Sequence, residues 1–305
     1  MISAKPTRLS RRLVASATIS LATLALAAGS LHAQTPPDIS HKKPKQPVLE
    51  FAMMTWPEVR EALAAGKTTA LVYTGGTEQR GPQNVNGGHT LMGQAIAQGI
   101  AVKLGNAIWL PVLPYSPNNA SAALPGTIGL TNEIMQPLLE RIAEQAIGTG
   151  FKNVVLMGDH GGGQGDGPGN VYAATAKKLE DKYAEKGIHV FYCDRVYAPA
   201  QDDFGKKVAE KGLPASAHGG LPDTAEMLYL GQGAWSRVDL FPIAFSPPAA
   251  SAGTPRDPNA PRRVGNGVTG DARESTKAWG KLQYDMKIEY AVKQIEGFIP
   301  RPAGK

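Results

Sequence analysis

Asn153-Val154-Val155-Leu156-Met157-Gly158-Asp159-His160-Gly161-Gly162-Gly163 is a nearly unbroken apolar run that ends in an acid, an imidazole and three glycines. A run without polar alternation is buried on both faces, which is the mark of a parallel strand covered by helices above and below. The same kind of segment recurs at Thr68 to Tyr73, Ala107 to Val112 and His189 to Tyr192. Helical spacing fills the intervals, at His89 to Leu104, Asn132 to Thr149 and Tyr172 to Lys186. Further helices are expected at Asp203 to Lys211, Thr224 to Gly231 and Glu274 to Ile295, and a short one opens at Trp56-Pro57. The alternation predicts an α/β fold, a three-layer α/β/α arrangement around a mostly parallel sheet. In such sheets ligands bind beyond the carboxyl ends of the strands, where the polar Gly-rich loops leave.

The chain outside this core reads differently. Residues 1–33 carry Lys5, Arg8, Arg11 and Arg12 ahead of an apolar stretch, Leu13 to Ala28, that closes on small residues before Gln34. That is the pattern of a secretory signal, too short and too interrupted for a membrane anchor, so no stable membrane insertion is expected. The implied location is periplasmic or secreted, by the general route or, through Arg11-Arg12, the twin-arginine route. Residues 34–50 read as a flexible tether and 51–300 as one folded domain. Removing the leader lowers the net charge from +6 to +2, with 28 basic against 26 acidic residues left. Nucleic-acid binding thereby loses its electrostatic support. Cys193 is the only cysteine, so no disulfide forms within the chain, and its apolar setting reads as a buried thiol. The four tryptophans read as core residues, Trp235 least clearly. Ser246 to Arg263, rich in Pro, Ala and Gly, reads as a long loop over the site or at a subunit contact.

Three loops carry chemistry. Gly75-Gly76-Thr77-Glu78-Gln79-Arg80-Gly81-Pro82, continuing to Gly88-His89, places a carboxylate, a cation and an imidazole between a strand and a helix. Glu and His suit zinc, iron or manganese; the same loop is also consistent with Glu78 simply pairing with Arg80 while His89 caps the helix. Asp159-His160 follows the third strand, and Asp159 either ligates or holds another ligand in place. The glycines after it lack the Lys-Ser/Thr of a phosphate-binding loop. His218-Gly219-Gly220-Leu221-Pro222-Asp223 precedes a helix, with Asp223 either its N-cap or a carboxylate aimed at the site.

In this order the segments resemble the creatininase (creatinine amidohydrolase) family. Gly75 to Pro82 is similar to its G-S-T-E-Q-H-G-P motif, Leu124-Pro125-Gly126-Thr127 to its P-G-T turn, and Gly150 to Gly162 to its G-F-K strand ending in H-G-G. His218 to Thr224 stands where that family has H-A-G-E-x-E-T-S, and Gly267-Val268-Thr269-Gly270-Asp271 matches a late G-V-x-G-D element. The resemblance implies a creatininase-like fold, a homo-oligomer and a divalent metal, zinc first with iron or manganese as alternatives. It also implies a small-molecule substrate whose C–N bond, in an amide that is in some cases cyclic, is hydrolysed. Carried onto this sequence it implies metal ligands Glu78, His160 and Asp223, the last replacing a Glu.

Two positions depart from the pattern. Arg80 stands for the family's His, and His89 stands for its Asp eleven residues past the Glu. Arginine stays protonated and cannot ligate. The expectation is therefore one retained ion on Glu78, His89, His160 and Asp223, with Arg80, His218 and Asp159 as the catalytic candidates. Arg80 would orient a carboxylate or stabilise an oxyanion, and His218, as an imidazole, would serve as general acid or base. The other readings are a lactone or ester hydrolase on the same site, and a non-catalytic ligand- or metal-binding protein.

Overall fold

The computed structural model describes residues 48–118, 121–165, 167–246 and 265–299. The leader, nearly all of the tether, and the loop beyond Ser246 lie outside the described residues. In chain order the elements are α1 (Trp56–Ala64), β1 (Thr69–Thr74), α2 (Gly88–Leu104), β2 (Ala107–Trp109), α3 (Asn132–Thr149) and β3 (Asn153–Gly158). They are followed by α4 (Val171–Tyr183), β4 (His189–Tyr192), α5 (Ala198–Ala209), α6 (Leu221–Leu230) and α7 (Lys277–Phe298).

The four strands form one parallel sheet in the order β2-β1-β3-β4. Alternate side chains of each strand leave on opposite faces. Leu71, Tyr73, Val155 and Met157 pack against Ile96 and Ile100 of α2 and Ile288 and Val292 of α7. Ala70, Val72, Val154 and Leu156 pack against Met135 and Leu139 of α3 and Tyr172 and Leu179 of α4. Both faces are therefore covered, and the three-layer α/β/α arrangement holds. A third cluster, Phe204, Val208, Leu221, Ala225 and Met286, joins α5, α6 and α7. Cys193 is fully buried, and burial pushes its thiol up to about 12, so it stays an inert thiol at neutral pH.

The boundaries differ from the sequence expectation where proline acts. β2 stops at Trp109 rather than Val112, because Pro111 has no N–H to give a ladder. α5 and α6 begin earlier than expected, at Ala198 and Leu221, each with proline in its first two positions. That shift moves Asp223 into the first turn of α6, with Gly220 as the N-cap, so Asp223 is not the cap. Trp109 is core, but Trp56 is 53% exposed with Arg60 stacked over its ring, which corrects the uniform core reading of the tryptophans.

Candidate metal centre

The register of the central strand pair builds the site. β1 and β3 run side by side from Thr69↔Asn153 to Thr74↔Gly158, so their carboxyl ends finish level. The Glu78 loop and the Asp159-His160 loop therefore leave the sheet at adjacent points. Gly162 allows the second loop to pass the backbone of Pro117, whose carbonyl oxygen a Cβ there would overlap. Gln164 then ties the loop down, donating to the carbonyls of Gly158 and His160 at 3.2 and 2.6 Å.

Glu78, His89 and His160 converge, each buried, with one donor atom apiece lying within 4.8 Å of the others. His89 Nε2 is 2.9 Å from Glu78 Oε1, and His160 Nε2 is 3.2 Å from Glu78 Oε2. Asn118 and Ser121, from the loop after β2, donate to the same Oε2 at 2.6 and 2.8 Å. Burial raises the pKa of Glu78, but hydrogen bonds from His160, His218 and His89 outweigh it and hold the carboxyl far below its usual range. Burial lowers His160, which stays neutral. His89 is raised despite burial and Arg80, because hydrogen bonds to Asp159 and Glu78 favour its charged form.

The remaining candidates take different places. Arg80 is wholly buried, with Nη1 3.5 Å from Glu78 Oε1 and Nη2 2.5 Å from Asp223 Oδ2. The second contact is an ion pair without hydrogen-bond alignment, and Nε and Nη2 have no aligned acceptor among the described residues. Asp223 also accepts the Gly219 N–H at 2.8 Å. It therefore faces Arg80 and stands outside the group of Glu78, His89 and His160. Asp159 takes the Nδ1–H of His89 on Oδ2 at 3.0 Å and is itself fully buried. His218 is the open member, its side chain 28% exposed and its Nδ1 3.4 Å from Glu78 Oε1.

The fold is matched by known proteins. A family model described as creatinine amidohydrolase (creatininase) matches residues 52–295. The chain belongs to the creatininase family. A crystal structure of creatinine amidohydrolase (creatininase) superposes with a TM-score of 0.67 at 22% identity, over 84% of this chain and 100% of that one. A creatininase in its Mn form gives 0.66 at 21% identity over 83% of this chain, and a mutant creatininase of Zn-Zn type 0.66 at 20% over 84%; both are covered in full. No curated protein matches the chain. At such identities the superpositions show the shared fold.

Within the family pattern the metal fits one half of the site. Glu78 and His89 offer an anionic oxygen and an imidazole nitrogen, and His89 has the carboxylate behind its other nitrogen that metal-bound histidines use. His160 stands third, with one feature against it: Gly162 N–H donates to its Nδ1 at 2.9 Å, leaving its ring proton on Nε2. To ligate through Nε2 it must move that proton to Nδ1 and release Gly162. The other half, Arg80 with Asp223, does not fit an ion, since the guanidinium already occupies the carboxylate's charge.

Five residues around the site escaped the sequence reading: Asn118, Ser121, Tyr197, Glu226 and Lys287. Asn118 and Ser121 are neutral and lie in an irregular loop, so no charge or periodicity marks them. The ring of Tyr197 packs against Gly161, close enough that a Cβ at 161 would meet its hydroxyl. Lys287 did leave a signal, since it lies four residues from both Gln283 and Ala291 on the buried stripe of α7. A cavity of about 490 Å³ lies elsewhere, between α1 and Phe51, lined by Met54, Trp56, Val59 and Leu63.

Proposed function

We propose that this chain is a metal-dependent hydrolase of the creatininase type that cleaves a C–N bond of a small amide, cyclic amides included, with one ion per chain. The observation that carries the proposal is the convergence of Glu78, His89 and His160 at the carboxyl ends of β1 and β3. A divalent ion there, zinc first with iron or manganese as alternatives, supplies Lewis acidity toward a carbonyl and lowers the pKa of water. Asp159 holds the His89 ring, and Arg80 places a fixed positive charge beside Glu78. Because Arg80 is fully buried, that charge acts through Glu78 and Asp223 rather than by touching substrate. His218 is the half-buried side chain at the cluster, the one most open to solvent, and the group placed to move a proton at the departing nitrogen.

The leader of residues 1–33 supports export to the periplasm, and family membership supports a homo-oligomer; no helix among the described residues is long and apolar enough to cross a membrane. Metal content of the mature protein and of His160→Ala tests the reading. About one ion per chain, lost in the variant, is expected, together with amine release from a panel of cyclic and linear amides. The bond from Gly162 to His160 favours one other reading, a metal-free binding protein. Absence of bound ion after reconstitution with zinc, iron or manganese would overturn the hydrolase reading and favour that one.

A further inference from the structure

Behind His89, on the side away from Glu78, lies a buried ion pair that ligation does not explain. Lys287 projects from the middle of α7 at 1% exposure, its Nζ 2.6 Å from Asp159 Oδ1 and 2.7 Å from Glu226 Oε2. Asp159 and Glu226 are both fully buried. The two oxygens of Asp159 are thus divided: Oδ1 belongs to Lys287 and Oδ2 to His89 Nδ1. Glu226, from α6, accepts a second hydrogen bond from the ammonium.

Such a pair is a poor source of stability. Desolvating a lysine and two carboxylates costs several kcal/mol per ion, roughly what their attraction returns, and apolar residues of like volume often serve as well. What the pair does specify is direction. With Oδ1 held by Lys287, Oδ2 is turned onto Nδ1, and the ring then presents Nε2 to Glu78. We propose that Lys287 is a positioning residue for the ion site, one that fixes Asp159 so that His89 offers Nε2 as its ligating nitrogen. The inference rests on the metal reading above and names a residue that touches neither ion nor substrate.

Charge and position predict opposite signs. An ammonium near a divalent cation repels it, so if Lys287 acted only by its charge, Lys287→Met would tighten zinc binding. If Lys287 acts by positioning, the same change weakens zinc by about 10–100-fold, the range seen when partners behind metal ligands are removed. Lys287→Gln removes the charge but keeps a donor toward Asp159, and is expected to retain most of the affinity.

The experiment is zinc affinity by chelator competition on the full mature chain and both variants. The visible spectrum of the cobalt(II)-loaded protein reports ligand geometry, and thermal melting checks folding. Weaker zinc and shifted cobalt bands in Lys287→Met, with both nearly restored in Lys287→Gln, support the positioning role. Unchanged or tighter zinc in Lys287→Met overturns it while leaving the metal reading intact. Should Lys287→Met fail to fold, Lys287→Gln decides: retained affinity supports the role, and tightened or lost affinity overturns it. A wild-type chain that binds no zinc at all instead removes the metal reading, and the positioning role with it.

Discussion

Glu78 divides the site into two halves that share one carboxylate and little else. On one side His89 and His160 bring imidazole nitrogens to its oxygens; on the other Arg80 brings a guanidinium that also reaches Asp223. Both halves are buried and both contain a carboxylate partner, yet only the first can exchange protons for a cation. An imidazole sheds its proton near neutral pH, whereas a guanidinium keeps its own under all ordinary conditions. The difference teaches that, on the proposed reading, ion capacity is set by the basic residue beside Glu78 and not by the number of acids. Arg80 neutralises Asp223 from within the chain, which on the proposed reading leaves one place for a divalent ion.

The sharpest way to break this comparison is to remove the built-in cation. Arg80→Met leaves Asp223 buried at 6% exposure with no cationic partner among the described residues. Breaking one side of such a pair is expected to cost about 3–5 kcal/mol, measured by urea or thermal unfolding. Adding Asp223→Leu should recover most of that loss, since the stranded charge is then gone. If Arg80→Met alone is stable and takes up a second ion, the two halves are equivalent in donor capacity and the distinction fails.

A smaller effect sharpens the open side. His218→Ala should lower kcat about a hundredfold while leaving the bound ion in place, because His218 meets Glu78 only at 3.4 Å and is the most accessible side chain of the cluster. Metal analysis and turnover on whichever amide is hydrolysed measure the two quantities separately. Loss of the ion together with kcat would move His218 from proton carrier to ligand and redraw the boundary of the first half.

How much of this was legible beforehand follows from which residues announce themselves. Continuous apolar runs such as Val154 to Met157 read as buried strands because both faces of the sheet are covered, so no polar residue interrupts them. The two loops after β1 and β3 were legible because glycines and ionisable groups cluster there, and the strand register brings them level. Asp223 was read as a fourth ligand of the ion, but Pro222 starts α6 early and its carboxylate meets Arg80 instead. Asn118 and Ser121 were invisible, since a neutral polar residue in an irregular loop has no period to violate. Lys287 was hidden by the opposite error: a lysine in a helix is assigned to solvent by default, although its spacing from Gln283 and Ala291 placed it on the buried stripe.

The smallest expected effect compares two carboxylates on one ammonium. Asp159 and Glu226 both meet Lys287, but Asp159 also receives His89, whereas Glu226 Oε1 has no partner among the described residues. Burial raises Asp159, but Lys287 and His89 overcome it and hold the group at about 2. For Glu226 burial wins over Lys287, the neighbouring Asp159 adds to it, and the group is pushed up to about 7. The two therefore have opposite pH signatures. Below the unfolded value of about 4.3, the native and unfolded forms of Glu226 are both protonated, and its contribution is fully present. As pH rises toward about 7 the unfolded chain has already lost this proton while the native chain still holds it, so stability falls across that window. Asp159 does the reverse, contributing above the ordinary carboxylate range and losing its share as pH falls toward about 2. Glu226→Gln should flatten the decline in Tm between about pH 5 and 7, an effect on the order of 2–4 °C, while the acid limb set by Asp159 stays. Calorimetry of both proteins across that range decides it: identical slopes would mean that Glu226 is ionised throughout, and that Lys287 is shared equally rather than held on the Asp159 side.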